Sequence, residues 1–292
     1  MFIDIHVHVR RQPGFPRNWL GETFATPEQL ISMYDERSID AGVILPMVSP
    51  EGLRVPQSLE NVLLTCYEYP SRFIPFCNLD PRMITNTPDA PLDEFLLFYQ
   101  DKGCKGVGEI MANLPFDHPM VDNMFRCCEA TSMPVIFHVA TRIGGMYGLL
   151  DHRGLPLLDR ALDKFPELTF LGHSQAFWSE IAPIDNDELR GHYPTGPIES
   201  PGRVVTLMRN HDNLHGDLSA KSGFNAISRD REFGISFMNE FQDRLYFGTD
   251  ITSPRTTTPL VDYLIELRDH GELSASVFKK IARGNAKRLL GI

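Results

Sequence analysis

The sequence opens with two histidines at a spacing of two, His6 and His8, within the short apolar run 1–8. Side chains alternate between the two faces of a β-strand, so a strand here would point His6, His8 and Asp4 to one side. Two imidazoles on one face are half of a metal site, because imidazole nitrogens bind zinc and related divalent ions. The motif is short, however, and the alternative interpretation is that the two histidines are ordinary core residues that bind no metal.

Four further residues with metal-binding side chains occur in other apolar runs. They are Glu109, His138, His173 and Asp250, and each lies within or at the end of a predicted strand. In a barrel of parallel strands the active site forms at the carboxyl ends of the strands. Such a barrel would bring all these potential ligands to one mouth.

The elements that must position these residues are short apolar runs that alternate with stretches of helical spacing. This alternation is typical of parallel strands joined by crossover helices. Strands are predicted at 2–9, 42–47, 73–79, 106–111, 135–140, 169–173, 214–219 and 245–250. A first helix is predicted to begin at the capping pattern 26–29. Further helices are predicted at 59–69, 92–102, 120–131, 155–165, 203–210, 229–240, 260–270 and 274–290.

The alternation favours a single α/β domain over residues 1–292, a (β/α)8 TIM-type barrel with an extra C-terminal helix. The alternative is an open doubly wound sheet. That fold would need a Gly-x-Gly-x-x-Gly turn after the first strand, and the residues that follow His8 contain none.

The composition of the chain limits which binding partners and which cellular compartment are expected. The 292 residues carry a formal charge of −10, which argues against nucleic acid because its binding depends on Lys and Arg. The sequence has no apolar stretch of about 18 residues that could span a bilayer, and no signal peptide is recognisable. The five cysteines show no Cys-x-x-Cys spacing and are expected to be reduced core residues. We therefore expect a cytoplasmic protein without membrane or nucleic-acid partners.

In its motifs and their order the chain resembles the metal-dependent amidohydrolase superfamily. Within it, the chain is similar to the amidohydrolase-related branch that includes aminocarboxymuconate-semialdehyde decarboxylase. The resemblance spans nearly the whole chain, and a homodimer is common in this branch. It rests on the segments Asp4-Ile5-His6-Val7-His8, Gly108-Glu109-Ile110, Phe137-His138, Leu171-Gly172-His173-Ser174, Gly248-Thr249-Asp250 and Gly284-Asn285-Ala286-Lys287-Arg288-Leu289-Leu290.

The resemblance implies a role for each candidate ligand. One divalent ion would be held by His6, His8, His138 and Asp250. His173 would contact substrate or bind a second ion, and Glu109 would bridge two ions where there are two. Imidazole and carboxylate ligands suit zinc, with manganese or iron as alternatives. Asp250 and His173 are the expected catalytic residues, acting with metal-activated water.

Substrate contacts are expected in the loops that follow the strands, since these loops form the rim of a barrel's active site. The candidates are Arg10, Trp19, Asn113, Trp178 and Tyr193. Among these, Arg10 could pair with a substrate carboxylate through its guanidinium fork. The long segment 174–202 is expected to act as a lid or binding segment.

The leading functional hypothesis is a metal-dependent hydrolase of a small carboxylated lactone, amide or ester. The first alternative is a metal-dependent decarboxylase of a small aromatic or dienoic acid. The resemblance leaves both open, although the carboxylate of Glu109 on the fourth strand favours hydrolysis. The second alternative is a non-catalytic metal-binding barrel, which the complete ligand set argues against.

Overall fold

A computed structural model describes residues 1–51 and 55–292 of the chain. Its strands are short and almost wholly buried, as expected for parallel strands covered by helices on the outside. They are β1 Phe2–Val7, β2 Ile39–Ile44, β3 Phe73–Pro75, β4 Val107–Ile110, β5 Val135–Ala140, β6 Leu149–Leu150, β7 Phe170–His173, β8 Leu214–Asp217 and β9 Leu245–Tyr246.

Every strand pair is parallel, and the strands follow one another around a ring. Strands β1, β2 and β3 form one sheet, and β4, β5, β7, β8 and β9 form the other in that order, with β6 beside β5. An isolated bridge between Cys77 and Val107 joins the two sheets on one side. On the other side a bridge from Val7 to Ile251 joins them, and the Ile5 amide donates to the Phe247 carbonyl over 3.0 Å. The predicted (β/α)8 barrel is confirmed.

Helices follow the strands and cover the outside of the ring. They are α1 Pro27–Arg37, α2 Leu59–Glu68, α3 Leu92–Asp101, α4 Pro119–Ala130, α5 Pro156–Lys164, α6 Gln175–Trp178, α7 Asp187–Arg190, α8 Arg203–Asn210, α9 Ala220–Ser228, α10 Arg231–Glu240, α11 Pro259–Asp269, α12 Ala275–Lys279 and α13 Asn285–Leu290. The predicted capping box at the start of α1 is present, with Thr26 and Gln29 exchanging backbone-to-side-chain hydrogen bonds. None of the helices in the described ranges is long and apolar enough to cross a membrane.

The predicted C-terminal helix is present but contains a π-helical segment. Helix α12, the π-helical turn Lys280–Gly284 and α13 follow one another directly. Ala286 and Leu290 join a cluster with one or two side chains from most of the strands, including Ile5 and Leu171. This helix therefore covers the amino-terminal end of the barrel and leaves the carboxyl end open.

Two helical predictions differ from the structure. The sequence predicts one helix at 229–240 between the last two predicted strands, but the chain forms two helices there, α9 followed by α10. The segment 174–202, predicted as a loop, contains α6, the 3-10 turn Ser179–Ile181 and α7. Helix α9 is difficult to detect because its sequence includes Ser222, Gly223 and Asn225, residue types typical of loops.

The opening strand departs from simple alternation. Its register against β2 shifts between Asp4 and Val7. As a result, the Asp4 carboxylate accepts a 2.7 Å hydrogen bond from Tyr34 on α1 and one from the Thr249 amide, rather than pointing with the histidines into the mouth. Burial raises the pKa of Asp4 to about 6, despite these donors. Asp4 thus ties β1 to the helix layer and to the chain just before Asp250.

His215 lies on β8 near the amino-terminal end of the barrel and hydrogen-bonds the Tyr246 hydroxyl over 2.8 Å. Burial, helped by the Arg244 guanidinium, lowers its pKa to about 4. In the unfolded chain its pKa is about 6.5, so the unfolded state binds more protons between these values and stability falls as the pH falls.

We predict that His215→Gln removes part of this acid sensitivity. Between pH 6.5 and pH 4 the free energy of unfolding of the wild type should fall by about 3 kcal/mol more than that of the variant. Urea unfolding across this range measures the difference, with the exposed His152→Gln as the matched control. Parallel pH curves for wild type and His215→Gln would contradict the prediction.

Candidate metal centre

The side chains predicted as metal ligands gather at the carboxyl end of the barrel. They are His6 and His8 from β1, Glu109 from β4, His138 from β5, His173 from β7 and Asp250 from the loop after β9. All are buried except Asp250, whose side chain is 26% exposed. The residues that the strand-end rule selected from the sequence therefore lie together in the structure.

Four donor atoms form a compact group. The Nε2 atoms of His6 and His8 are 3.1 Å apart. Glu109 Oε2 lies 3.6 Å and 3.4 Å from these two nitrogens, and Asp250 Oδ1 lies 3.6 Å and 3.7 Å from them. Ligand atoms of a tetrahedral ion at about 2.1 Å are about 3.4 Å from one another. The two nitrogens and either neighbouring carboxylate oxygen are therefore spaced as ligands of one divalent ion, and the ligand atoms of His6, His8 and Asp250 all lie within 4.8 Å of one another.

Hydrogen bonds on the far side of the two rings fix which nitrogen faces the centre. His8 Nδ1 donates to the Leu45 carbonyl over 2.9 Å, and His6 Nδ1 donates to Asp217 Oδ2 over 2.7 Å. Because these oxygens can only accept, both Nδ1 atoms carry hydrogen, and the Nε2 atoms of neutral rings carry lone pairs. Two lone pairs at 3.1 Å repel each other unless a proton or a metal ion lies between them.

The electrostatic surroundings also favour positive charge at this point. Burial alone would lower the pKa of His6, but nearby carboxylates, Asp217 foremost, hold this pKa well above its ordinary value. Burial alone would raise the pKa of Glu109, but hydrogen bonds from histidines, His138 foremost, hold it well below. The carboxylates therefore stay ionised and attract a cation.

The second oxygen of Glu109 faces another pair of histidines. Glu109 Oε1 lies 2.7 Å from His138 Nδ1 and 3.8 Å from His173 Nε2. The ligand atoms of His6, Glu109 and His173 lie within 4.8 Å of one another. Glu109 is thus a neighbour of the His6 and His8 pair, and its carboxylate lies between two groups of nitrogens.

Asp217 is a functional residue that the sequence reasoning missed. It is fully buried at the end of β8, and its Oδ2 accepts from His6 Nδ1 and lies 3.3 Å from His173 Nδ1. Ser219 donates to the same oxygen over 2.9 Å. Burial alone would raise the pKa of Asp217, but the two histidines hold it well below its ordinary value. The strand-end rule could have found it, since it lies within the predicted strand 214–219.

Three non-glycine residues at the mouth have positive φ angles. They are Ser174 at 109°, Ala220 at 61° and Asp250 at 53°, and each lies just beyond the end of a strand. Such angles cost on the order of 1–3 kcal/mol per residue and persist only where surrounding contacts enforce them. At Asp250 the amide donates to the His6 carbonyl over 2.8 Å, which fixes the turn that presents the carboxylate.

A cavity of about 270 Å³ opens above these groups. Of the five predicted substrate contacts, Tyr193 lines this cavity, whereas Arg10, Trp19, Asn113 and Trp178 are outside its lining in the described part of the chain. The lining instead includes a different arginine, Arg17, together with Gln175 and Lys221 on other loops.

Two of those residues have structural partners instead. The Asn113 side chain donates to the carbonyls of Arg142 and Gly148, each over 3.1 Å, and so holds the loop after β5. Trp178 is buried, and its indole donates to the Asp217 carbonyl over 2.9 Å. Trp178 thus supports the strand that carries Asp217. Trp19, another predicted substrate contact outside the cavity lining, lies on the first loop and is 90% exposed.

The fold and the clustered donor atoms place the chain among (β/α)8-barrel proteins with a divalent-metal site at the mouth. Its sequence matches the amidohydrolase family over residues 3–292, so the chain belongs to that family and the resemblance seen in its motifs is confirmed. No curated protein matches it.

Solved structures with the same fold differ in reaction. An uncharacterised TIM-barrel protein of Bordetella bronchiseptica aligns with a TM-score of 0.67 and 18% identity, over 99% of this chain and 98% of that one. A probable 2-pyrone-4,6-dicarboxylic acid hydrolase of Acinetobacter baumannii, with citric acid bound, gives 0.59 and 15%, over 100% and 99%. A dihydroxybenzoic acid decarboxylase of Polaromonas sp. JS666, with bound manganese and 2-nitroresorcinol, gives 0.61 and 14%, over 99% and 96%. At these identities the likeness establishes the fold alone.

We predict that Asp217→Asn weakens metal binding. An amide NH2 turned towards His6 Nδ1 would oppose a donor with a donor, so the ring would lose the partner that orients it. Loss of such a partner lowers metal affinity by about 10–100-fold. Competition against a chelating dye measures it, and the fully exposed Asp212→Asn is the control. Wild-type affinity in Asp217→Asn would show that Asp217 does not orient a ligand.

Proposed function

We propose that the protein is a metal-dependent hydrolase that cleaves an ester, lactone or amide bond in a small carboxylated molecule. The observation that carries this proposal is the pair of imidazole nitrogens from His6 and His8 with the carboxylates of Glu109 and Asp250 beside it, where His8, Glu109 and Asp250 line the cavity. When bound there, a divalent ion acts as a Lewis acid that polarises a carbonyl and makes water a source of hydroxide near neutral pH.

Asp250 is the general base and acid of the proposed reaction. Its Oδ1 lies against the two imidazole nitrogens, while Oδ2 has no hydrogen bond to the described residues. Because the side chain is partly exposed and lines the cavity, Oδ2 can take a proton from the attacking water and deliver it to the leaving group.

His173 stabilises negative charge on the substrate. Its Nδ1 donates to Ser219 Oγ over 3.0 Å and lies 3.3 Å from Asp217 Oδ2, so these two groups fix the orientation of the ring. The ring lines the cavity, so Nε2, when it carries a proton, can donate to an oxygen that gains charge in the transition state. Removal of such a donor typically slows a reaction by about 10²–10³-fold.

Zinc is the proposed ion, and one ion in the four-donor group is the proposed resting content. A mixed set of imidazole and carboxylate ligands at tetrahedral spacing supports zinc, and the manganese in the Polaromonas decarboxylase makes manganese the next metal to test. The protein is proposed to work in the cytoplasm, which its five free, buried cysteines support. A homodimer and the absence of nucleic-acid partners remain predictions.

Chelation and reconstitution test the proposal directly. Protein stripped with dipicolinate should lose about a thousandfold of its activity on a panel of carboxylated lactones and aryl esters, and equimolar zinc should restore it. Carbon dioxide is followed in the same reactions. Release of carbon dioxide without hydrolysis would assign decarboxylation instead, and activity that survives complete stripping would refute a metal-dependent reaction.

Glu109→Gln tests the role of the carboxylate between the two groups of nitrogens. The amide keeps the shape but removes the charge, so zinc affinity should fall by at least tenfold. Competition against a chelating dye gives the affinity, with the exposed Glu36→Gln as control. Unchanged zinc affinity and unchanged hydrolysis would remove Glu109 from the site.

A further inference from the structure

We propose that the amino terminus of α9 is an anion subsite that binds a carboxylate of the substrate, through the backbone amides of residues 220–222, the Ser222 hydroxyl and the Lys221 ammonium. For its substrate it rests on the proposed hydrolase. The subsite deepens that proposal, because it names which end of the molecule is charged and which residues bind it.

The first observation is an uncapped helix. Helix α9 has nine residues, and its N-cap residue Ser219 makes no side-chain hydrogen bond to the helix. The Ser219 hydroxyl is already used, since it donates to Asp217 and accepts from His173. The amides of residues 220–222 therefore have no acceptor among the described residues, and free amides at a helix start attract anions.

The second observation is the buried hydroxyl of Ser222. Ser222 is 3% exposed, and its Oγ has no hydrogen-bond partner in the part of the chain that the structure describes. Burying a polar group without a hydrogen-bond partner costs free energy, so a ligand that supplies the missing partner would explain its position. Ser222 belongs to the wall of the cavity above the metal centre, and a carboxylate oxygen bound there would accept its hydrogen.

The third observation is the Lys221 ammonium group, which forms no ion pair with the described residues. Lys221 Nζ lies 4.5 Å from the centre of the Tyr193 ring, and the Tyr193 hydroxyl accepts from Gln175 over 3.0 Å. All three residues line the cavity. Within the described ranges Lys221 makes no ion pair, so its charge is available to a ligand while the aromatic face holds it in place.

The other cation at the cavity is already compensated. Arg17 lies 3.8 Å from the Glu22 carboxylate, and its guanidinium also lies over the Phe24 ring. Lys221 is therefore the cation left to bind substrate, in place of the Arg10 suggested by the sequence. One ammonium and a helix start together match the single charge of a carboxylate better than a phosphate dianion.

Calorimetric titration of the zinc-loaded protein with isophthalate and benzoate tests the subsite. Benzoate has one carboxylate, which the metal centre can take, whereas isophthalate has a second one for α9. We expect isophthalate to bind about tenfold more tightly, and Lys221→Met to remove this advantage. The exposed Lys105→Met, at the amino-terminal side of β4, should preserve it.

Ser222→Ala separates binding from folding. Because the hydroxyl has no hydrogen-bond partner among the described residues, its removal should leave the melting temperature unchanged or higher, while the isophthalate advantage falls several-fold. Equal binding of isophthalate and benzoate by the wild type, or an advantage that survives both variants, would overturn the subsite. If inorganic phosphate displaces isophthalate at lower concentration than acetate does, the carboxylate assignment is wrong.

These outcomes are independent of the hydrolase proposal. If no ester or lactone is cleaved but Lys221→Met and Ser222→Ala still weaken isophthalate binding, the proposed function fails and the subsite stands. If hydrolysis depends on zinc but both variants keep the isophthalate advantage, the function stands and the subsite fails.

Discussion

The interaction on which the rest of the site depends is the close approach of two imidazole lone pairs and two carboxylates in a buried place. The Nε2 atoms of His6 and His8 are 3.1 Å apart and face Glu109 and Asp250. Without a positive charge between them the two lone pairs repel each other, and charges in a low-dielectric site interact far more strongly than in water. The proposed divalent ion would supply that charge, so the same residues would stabilise the site when the ion is bound.

The arrangement is held in place by a second set of contacts that runs along β8. Asp217 accepts from the ring of His6 and lies beside the ring of His173, so one carboxylate orients a proposed metal ligand and a proposed catalytic residue together. Trp178 supports its backbone from behind. Ser219 completes this set and, because its hydroxyl is used there, leaves α9 uncapped. One hydroxyl thus links the orientation of the proposed metal ligands to the amides of the proposed anion subsite.

The sequence alone predicted the barrel and the residues at its mouth, because strand alternation and strand-end histidines are local signals. It did not predict their relative placement. Alternation put Asp4 beside His6, but a register shift in β1 sends the Asp4 carboxylate to Tyr34. The proximity of Glu109 to His8, and the position of Lys221 at the cavity, depend on how distant segments meet around the ring. Such distances are set by barrel closure, which no local pattern records.

The fold does not determine whether the reaction is hydrolysis or decarboxylation, since the solved structures with this fold include both kinds of enzyme. Both reactions need a Lewis acid and a bound carboxylate, but they differ in where the carboxylate must lie. Decarboxylation brings the departing carboxylate to the reacting centre, whereas hydrolysis leaves a carboxylate elsewhere as a handle for binding. In the proposed subsite, a carboxylate held by α9 at the cavity wall would be a handle of this second kind. The subsite is therefore the arrangement that the proposed hydrolysis requires of its substrate.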